Sequence, residues 1–164
     1  MLEFKTPQIE DKAWVDQCFK HLKTMNCDYT FGNMFVWSTE YSTKICRFKD
    51  FFICSWGMGK ETNFGIPVGK GDFKEAVEEV IKYAKANDIM PRFYGVTEAY
   101  VEMLNENFPD AFQFSYDEGY GDYIYEVEKM ASLKGKKYHG KRNHITNFKK
   151  NNPNWSFETI NKDN

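Results

Sequence analysis

The sequence predicts an α+β fold, in which a central mixed and mainly antiparallel sheet carries helices on both of its faces. Strand-like and helix-like segments follow one another along the whole chain. The helical segments place apolar residues on a 3.6-residue period, whereas the strand segments alternate or are continuously apolar. The chain has 164 residues, 41% of them hydrophobic and 18% aromatic, so it is long enough to bury one substantial core rich in rings.

The predicted elements have a definite order. In chain order they are a strand at 2–5, a helix from Pro7, a short helix at 28–37, strands at 43–48, 51–56 and 63–68, a helix at 73–86, a strand at 91–96, a helix from Thr97 to Pro109, strands at 111–116 and 122–127, a basic helix, and a strand-like piece at 155–160.

Periodicity and turn residues justify the first half of this order. Thr6 and Pro7 have the chemistry of an N-cap and a first helical position. The stripe of the first helix consists of Trp14, Val15, Cys18, Phe19 and Leu22. Residues 28–37 are predicted to form a short helix, and their many aromatic side chains are expected to pack in the core rather than form a binding site. The next two strands are predicted to form a hairpin across Lys49 and Asp50.

Caps and stop signals justify the second half. Asp72 is the predicted N-cap of a helix whose apolar face consists of Phe73, Ala76, Val77, Val80, Ile81 and Ala84. Thr97 is the predicted cap of the next helix, and Pro109 ends it. The alternating segments at 111–116 and 122–127 predict a second hairpin around residues 117–121.

Charge is distributed unevenly along the chain. The total of −2 combines a segment 1–128 with 13 Lys/Arg and 22 Asp/Glu, and a segment 129–157 with eight Lys/Arg and no acidic residue. We call residues 129–157 the basic arm. A cluster of one sign attracts polyanions, so the arm predicts an anionic partner. The residues chosen for this contact are Lys136, Lys137, Lys141 and Arg142. The alternative is a solvated helix that docks on the acidic part of the same protein.

Lys141 has two interpretations of its own. It falls within the stripe of Tyr138, Ile145 and Phe148 on a helical period. Its stem would then be buried with the ammonium in water. Alternatively, the ammonium lies at the edge of a cleft and meets a carboxylate or phosphate.

Two further clusters are candidate sites. Gly69, Lys70 and Gly71 lie between a strand and a helix, where glycine backbone and helical N–H groups suit phosphate, or where an ordinary tight turn suffices. Asp117, Glu118 and Asp122 could act as an acid/base group or bind a cation, or they are solvated turn residues. No Walker motif, no dinucleotide-binding motif and no nucleophile motif is present in the sequence. Its three histidines and four cysteines show no metal-ligand spacing, so no metal is predicted.

The sequence contains no apolar run of transmembrane length, and its polar N-terminus is unlike an ordinary signal peptide. We therefore expect the cytoplasm, or the cytoplasmic face of a membrane, as its compartment.

Several segments together carry a family resemblance. They are CDYTFGNMFVW, RFKDFFICSWG, IPVGKGDFKEAVEE, FYGVTE and DYIYEVEKMASLKGKKYHGKRNHITNFKKNNP. The chain resembles the family named for the C-terminal domain of phosphatidylglycerol lysyltransferase, and its element order resembles the GNAT-like acyltransferase fold. The part LKGKKYHGKRNHI is the most specific.

The resemblance implies an organisation and an activity. Family members contain two GNAT-like halves, so residues 1–133 would be the N-terminal half, and 134–164 a basic connecting helix and the start of a second half. Members of the named enzyme class move an amino acid from aminoacyl-tRNA to a lipid headgroup. The GNAT coenzyme signature would need Gln or Arg where Ile66 stands, so no cofactor is expected in this half and acetyl-CoA binding is doubtful.

Two functions therefore stay open. The chain is the half of an aminoacyl- or acyltransferase that is non-catalytic alone, with aminoacyl-tRNA or another polyanion and the second half as partners. Alternatively, it is a stand-alone binding module for nucleic acid or an anionic membrane surface. No catalytic residue is assigned.

Overall fold

The computed structural model describes residues 2–20, 22, 24, 26–116, 118–121 and 123–163. The chain forms two compact units, Met1–Tyr116 and Asp117–Asn164. Each unit is a group of residues that contact one another in the folded structure. The predicted domain boundary after residue 133 concerns the family's two halves, and it stays a prediction.

The first unit contains the sheet. Its helices and strands are α1 (Lys12–Phe19), α2 (Phe31–Trp37), β1 (Lys44–Phe48), β2 (Phe51–Trp56), β3 (Asn63–Gly65), β4 (Val68–Gly69), α3 (Phe73–Ala86), β5 (Phe93–Tyr94) and α4 (Glu98–Asn107). The second unit contains α5 (Val127–Ser132) and α6 (His139–Asn151), with a 3₁₀ turn at Lys136–Tyr138 between them.

The sheet is mixed and mainly antiparallel, as predicted. Its order is β1-β2-β3-β5, and β4 pairs with the beginning of β2. The predicted hairpin is confirmed, with Phe48 opposite Phe51 and Lys44 opposite Ser55. Among the described strands, β3 and β5 are the one parallel pair.

The third predicted strand is divided in two. Residues 63–68 were predicted as one strand, but β3 ends at Gly65 and β4 begins at Val68. Pro67 lies in the interruption and has no N–H to donate to a neighbouring strand. The division lets β2 pair with β3 at its end and with β4 at its beginning.

Helices cover both faces of the sheet, which confirms the predicted α+β class. On one face, Val15 of α1 belongs to a buried cluster with Ile45 and Phe52. On the opposite face, Val80 of α3 is buried with Ile53 and Phe64. Because successive residues of β2 point to opposite faces, Phe52 and Ile53 place these two clusters on either side. The arrangement is consistent with a GNAT-like fold.

The helix predictions hold where a cap and an apolar stripe coincide. The Asp72 carboxylate accepts a hydrogen bond from the Glu75 N–H (3.0 Å) at the start of α3. The first helix begins later than predicted, because residues 9–11 form a 3₁₀ turn before α1. The aromatic stretch at 28–37 is core only in part: Phe31 is buried, whereas Val36 and Trp37 are 72% and 49% exposed.

Several predicted strands are wrong. Residues 2–5 make only an isolated bridge between Lys5 and Ile45. The described residues of 111–116 and 123–126 belong to no strand, and Val127 begins a helix, so the second hairpin is absent from the described part of the chain. Phe112 packs instead against the Phe108 ring, with centroids 5.6 Å apart. Residues 155–160 also form no strand.

Candidate nucleic-acid interface

The basic arm is built around a sharp turn between α5 and α6. Leu133 ends α5 in the left-handed conformation (φ 47°, ψ 30°), which costs free energy for a residue with a Cβ. The Arg142 guanidinium, one turn into α6, donates hydrogen bonds to the main-chain carbonyls of Leu133 and Gly135 (2.9 Å to Gly135). Arg142 therefore ties α6 to the turn before it.

This geometry separates Arg142 from the other predicted polyanion-binding residues. Its Nη1 group contacts the main chain, so we assign it a structural contact as well as a charge. Lys136 and Lys137 lie in the exposed 3₁₀ turn, and neither forms an ion pair with a described acidic side chain of the second unit. The same holds for Lys150 near the end of α6. These three ammonium groups face solvent, and no described acidic side chain of their own unit pairs with them.

Two lysines of α6 lie over aromatic rings. The Lys141 Nζ is 5.1 Å from the ring centroid of Tyr125, and the Lys149 Nζ is 4.9 Å from that of Trp155. A cation over a ring face is held by the quadrupole of the ring. The Lys141 ammonium thus lies against the ring of Tyr125, and its contact with a carboxylate or phosphate stays a prediction.

A groove beside this ring has a volume of about 380 Å³ and includes Tyr123, Tyr125 and Tyr138 together with Lys129 and Lys137. The sequence did not single out Tyr123 and Tyr125, because residues 122–127 were interpreted as a strand, and it placed Tyr138 only in the stripe of the basic helix. The signal that could have identified them is a group of tyrosines directly before and inside a basic run, which is a composition typical of nucleic-acid surfaces.

The glycines of the strand–helix junction are explained by packing. A Cβ at Gly69 would overlap the main-chain carbonyl of Asp50 and lie 2.8 Å from the Phe51 Cα. Gly71 has φ +134°, and a Cβ there would lie 3.2 Å from the Phe51 ring. Glycine is therefore required at both positions by the approach of β4 and its following turn to β2, with or without a ligand.

Both glycines also border a cavity of about 360 Å³ in the first unit. Its walls are mainly apolar and aromatic, and they include Tyr29, Phe51 and Tyr100. Burial raises the pKa of the phenols of Tyr29 and Tyr100. The Tyr29 hydroxyl donates a hydrogen bond to the Gly95 carbonyl (3.3 Å). Lys70 is not among the residues that line this cavity, so its ammonium and the cavity are separate features.

Ile66 stands where the coenzyme signature would need a polar side chain. It is 1% exposed and belongs to the buried cluster on the α1 face of the sheet. A side chain in this position stabilises the core and has no polar group to offer a cofactor.

The acidic cluster lies partly outside the described residues, because Asp117 and Asp122 fall there. Glu118 begins a 3₁₀ turn at Glu118–Tyr120. Among the residues that the structure describes, no group of His, Cys, Asp and Glu side chains could hold a metal ion. No helix in the described ranges is both long and apolar enough to cross a membrane.

The fold and the arm define a class of protein: an α+β domain with a mixed sheet, followed by a lysine-rich helical unit. The family model described as phosphatidylglycerol lysyltransferase, C-terminal, matches residues 19–164, and the chain belongs to that family. This confirms the resemblance found in the sequence.

A solved structure supports the same fold. The crystal structure of a conserved protein of unknown function from Bacteroides thetaiotaomicron VPI-5482 is similar with a TM-score of 0.78 and 31% identity. The match covers 99% of this chain but 55% of that one, so this chain spans about half the length of its relative. A search of curated proteins gave no match.

Proposed function

We propose that this chain is the N-terminal half of an aminoacyl- or acyltransferase and that its basic arm binds tRNA or another polyanionic donor. Family membership supports the transferase part of the proposal. The half-length match to a solved relative supports a second half as its partner in the complete protein. No catalytic group is assigned to this half, and the chemistry is proposed to need the second one.

The observation that carries the polyanion contact is the uncompensated charge of the arm. Lys136, Lys137 and Lys150 are exposed and have no ion-pair partner in the described part of their unit. A phosphate that contacts such an ammonium releases condensed counterions without first breaking an ion pair, so binding is driven by salt-dependent ion release.

A salt titration of tRNA binding tests this proposal. The variant is Lys136→Ala/Lys137→Ala/Lys150→Ala, which leaves Arg142 in place to hold the turn. The matched control is Lys74→Ala/Lys82→Ala/Lys85→Ala on α3, which removes the same charge from the first unit. Each phosphate contact contributes about 0.7 to 0.9 to the slope of log K against log salt.

The arm variant should therefore lose roughly 2 to 3 from that slope, while the control keeps the wild-type value. Equal slopes in all three proteins would remove the arm from recognition and favour a helix docked on acidic surface of its own protein. An equal decrease of the salt slope in both variants would show that tRNA binding depends on net charge alone.

The stand-alone binding module is the second candidate, and exposed apolar side chains on α6 favour its membrane form. Ile145 and Phe148 are 45% and 53% exposed on the face that also carries Lys141. A helix with apolar and basic groups on one side suits the surface of an anionic bilayer. Cosedimentation with phosphatidylglycerol vesicles tests this candidate. A parent reading frame that continues for a second half would favour the transferase instead.

A further inference from the structure

The tyrosine groove of the second unit offers exposed rings. Its rings come from the segment before α5 and from the 3₁₀ turn before α6. Tyr123 is 88% exposed and Tyr125 is 47% exposed, whereas Tyr138 is half-buried. A tyrosine that stabilised a core would bury its ring, so the rings of Tyr123 and Tyr125 are available to a ligand, and the Tyr138 ring is available in part.

The same groove is bordered by cations. Lys137 lines it without an ion pair in the described part of its unit, and the Lys141 ammonium lies 5.1 Å from the Tyr125 ring centroid. Lys129 is paired with Glu126 (2.6 Å), and both side chains are more than half exposed. Among the described residues of the lining, Glu126 is the one acidic residue and is matched by Lys129, so these described side chains carry a net positive charge through Lys137.

We propose that this groove binds an unstacked base of a single-stranded nucleic acid, with Lys137 and Lys141 against the flanking phosphates. This inference rests on the proposed function and deepens it, because it assigns the polyanion to single-stranded nucleic acid and locates one base. Rings that stack on bases beside cations that meet phosphates are the recurring chemistry of single-strand recognition. A duplex keeps its base faces stacked, and a simple polyanion has none, so neither uses the tyrosines.

The test compares three probes on the full chain at one salt concentration: an unstructured RNA 12-mer, the blunt duplex of the same sequence, and inorganic polyphosphate of similar charge. The variant Tyr123→Leu/Tyr138→Leu keeps apolar bulk and removes two rings. Tyr41→Leu, an exposed tyrosine of the first unit, is the matched control. Tyr123→Leu alone is a second variant, since a side chain 88% exposed contributes little to folding.

Loss of stacking should weaken binding of the single strand about five- to a hundredfold in the double variant and leave polyphosphate binding unchanged. Wild type should also prefer the single strand over the duplex. Three results would each overturn the base site. They are unchanged single-strand affinity in both tyrosine variants, equal affinity of wild type for all three probes, and preferential binding to phosphatidylglycerol vesicles.

The failure of this inference can be told apart from failure of the proposed function. If the tyrosine variants bind like wild type while the arm variant still flattens the salt slope, the base site is wrong and the polyanion arm stands. If no nucleic acid probe binds at all, both proposals fail together.

Discussion

Asp11 provides the sharpest stability prediction, because a nearly buried carboxylate gathers three donors. Its Oδ1 accepts hydrogen bonds from the Lys5 ammonium (2.6 Å) and the Trp14 indole N–H (2.9 Å), and its Oδ2 accepts one from the Gln8 N–H (2.9 Å). Asp11 is 5% exposed. Burial raises the pKa of the Asp11 carboxyl, but these hydrogen bonds outweigh burial and the net effect lowers its pKa.

The substitution Asp11→Asn tests this arrangement. An amide keeps one acceptor oxygen and replaces the other with a donor, so one of the bonds from Trp14 and Gln8 is lost and its N–H is left unpaired. A hydrogen bond to a charged group contributes about 1.5–3 kcal/mol. The Lys5 side chain is 58% exposed, so its contact adds little. We expect a loss of roughly 2–3 kcal/mol in the free energy of unfolding at neutral pH.

The pH dependence follows from the direction of the pKa change. A carboxyl whose pKa is lower in the folded state stabilises the protein above its unfolded pKa of about 3.9, and loses that contribution as pH falls through the folded pKa. The difference between wild type and Asp11→Asn should therefore be complete at pH 7 and shrink as the solution is acidified below about pH 4.

Urea unfolding followed by circular dichroism measures this difference at each pH. The matched control is Asp16→Asn, which removes an exposed carboxylate paired with Lys12 on the same helix and should cost less than about 0.5 kcal/mol. A neutral-pH loss as small as that of the control, or a difference that does not change on acidification, would refute the reasoning.

Two further predictions concern the turn and the cofactor. Arg142→Ala removes the Nη1 group that donates to the carbonyls of Leu133 and Gly135, so amide exchange at the start of α6 should become about tenfold faster, with partial recovery in Arg142→Lys. Hydrogen–deuterium exchange mass spectrometry measures these exchange rates. Unchanged protection at the start of α6 would contradict the role of Arg142 in holding the turn. The isolated chain should not acetylate amines with acetyl-CoA, because the core residue Ile66 replaces the polar residue of the coenzyme signature. Saturable binding by calorimetry together with acetyl transfer to any amine would contradict it.

Local patterns predicted the fold wherever they agreed with one another. Asp72 caps α3 as expected, and the apolar face of that helix is buried at Val77 and Val80. The hairpin of β1 and β2 was predictable for a similar reason, because a two-residue turn joins two apolar segments. In both places one short stretch of sequence contains every interaction that the element needs.

Strands that depend on a distant partner were not predictable in this way. Trp155 and Phe157 alternate with polar residues, yet Phe157 and the nearby Ile160 are both 88% exposed and pair with no described strand. Alternation supplies a suitable side-chain pattern, but a strand also needs a neighbouring backbone to satisfy its N–H and C=O groups. Phe112 shows the opposite outcome, since its ring packs into the first unit while its backbone forms no strand.

The candidate site was predictable in charge but not in shape. The run of lysines identified the basic arm from sequence alone. The tyrosine groove depends on where residues 123–125 lie relative to the turn at Lys136–Tyr138, and these segments are separated along the chain by α5. No local periodicity reports such a juxtaposition. The hydrogen bonds of Arg142 to the turn were also not predicted from the sequence. Their acceptors are main-chain carbonyls, which every residue has, so no residue type indicates them.

The strand–helix junction shows why a glycine motif is weak evidence for a phosphate site. Gly69 faces the backbone of Asp50 and Phe51 at distances that exclude any Cβ, and Gly71 adopts a positive φ beside the Phe51 ring. The Asp72 carboxylate already accepts the Glu75 N–H at the start of α3, and a bound phosphate there would lie close to that negative charge. Packing thus accounts for both glycines, and the charge of Asp72 opposes an anion at the start of α3. The three lysines that carry the polyanion proposal have no such packing requirement, and no described carboxylate of their own unit pairs with them. These contacts are why the polyanion proposal rests on the second unit.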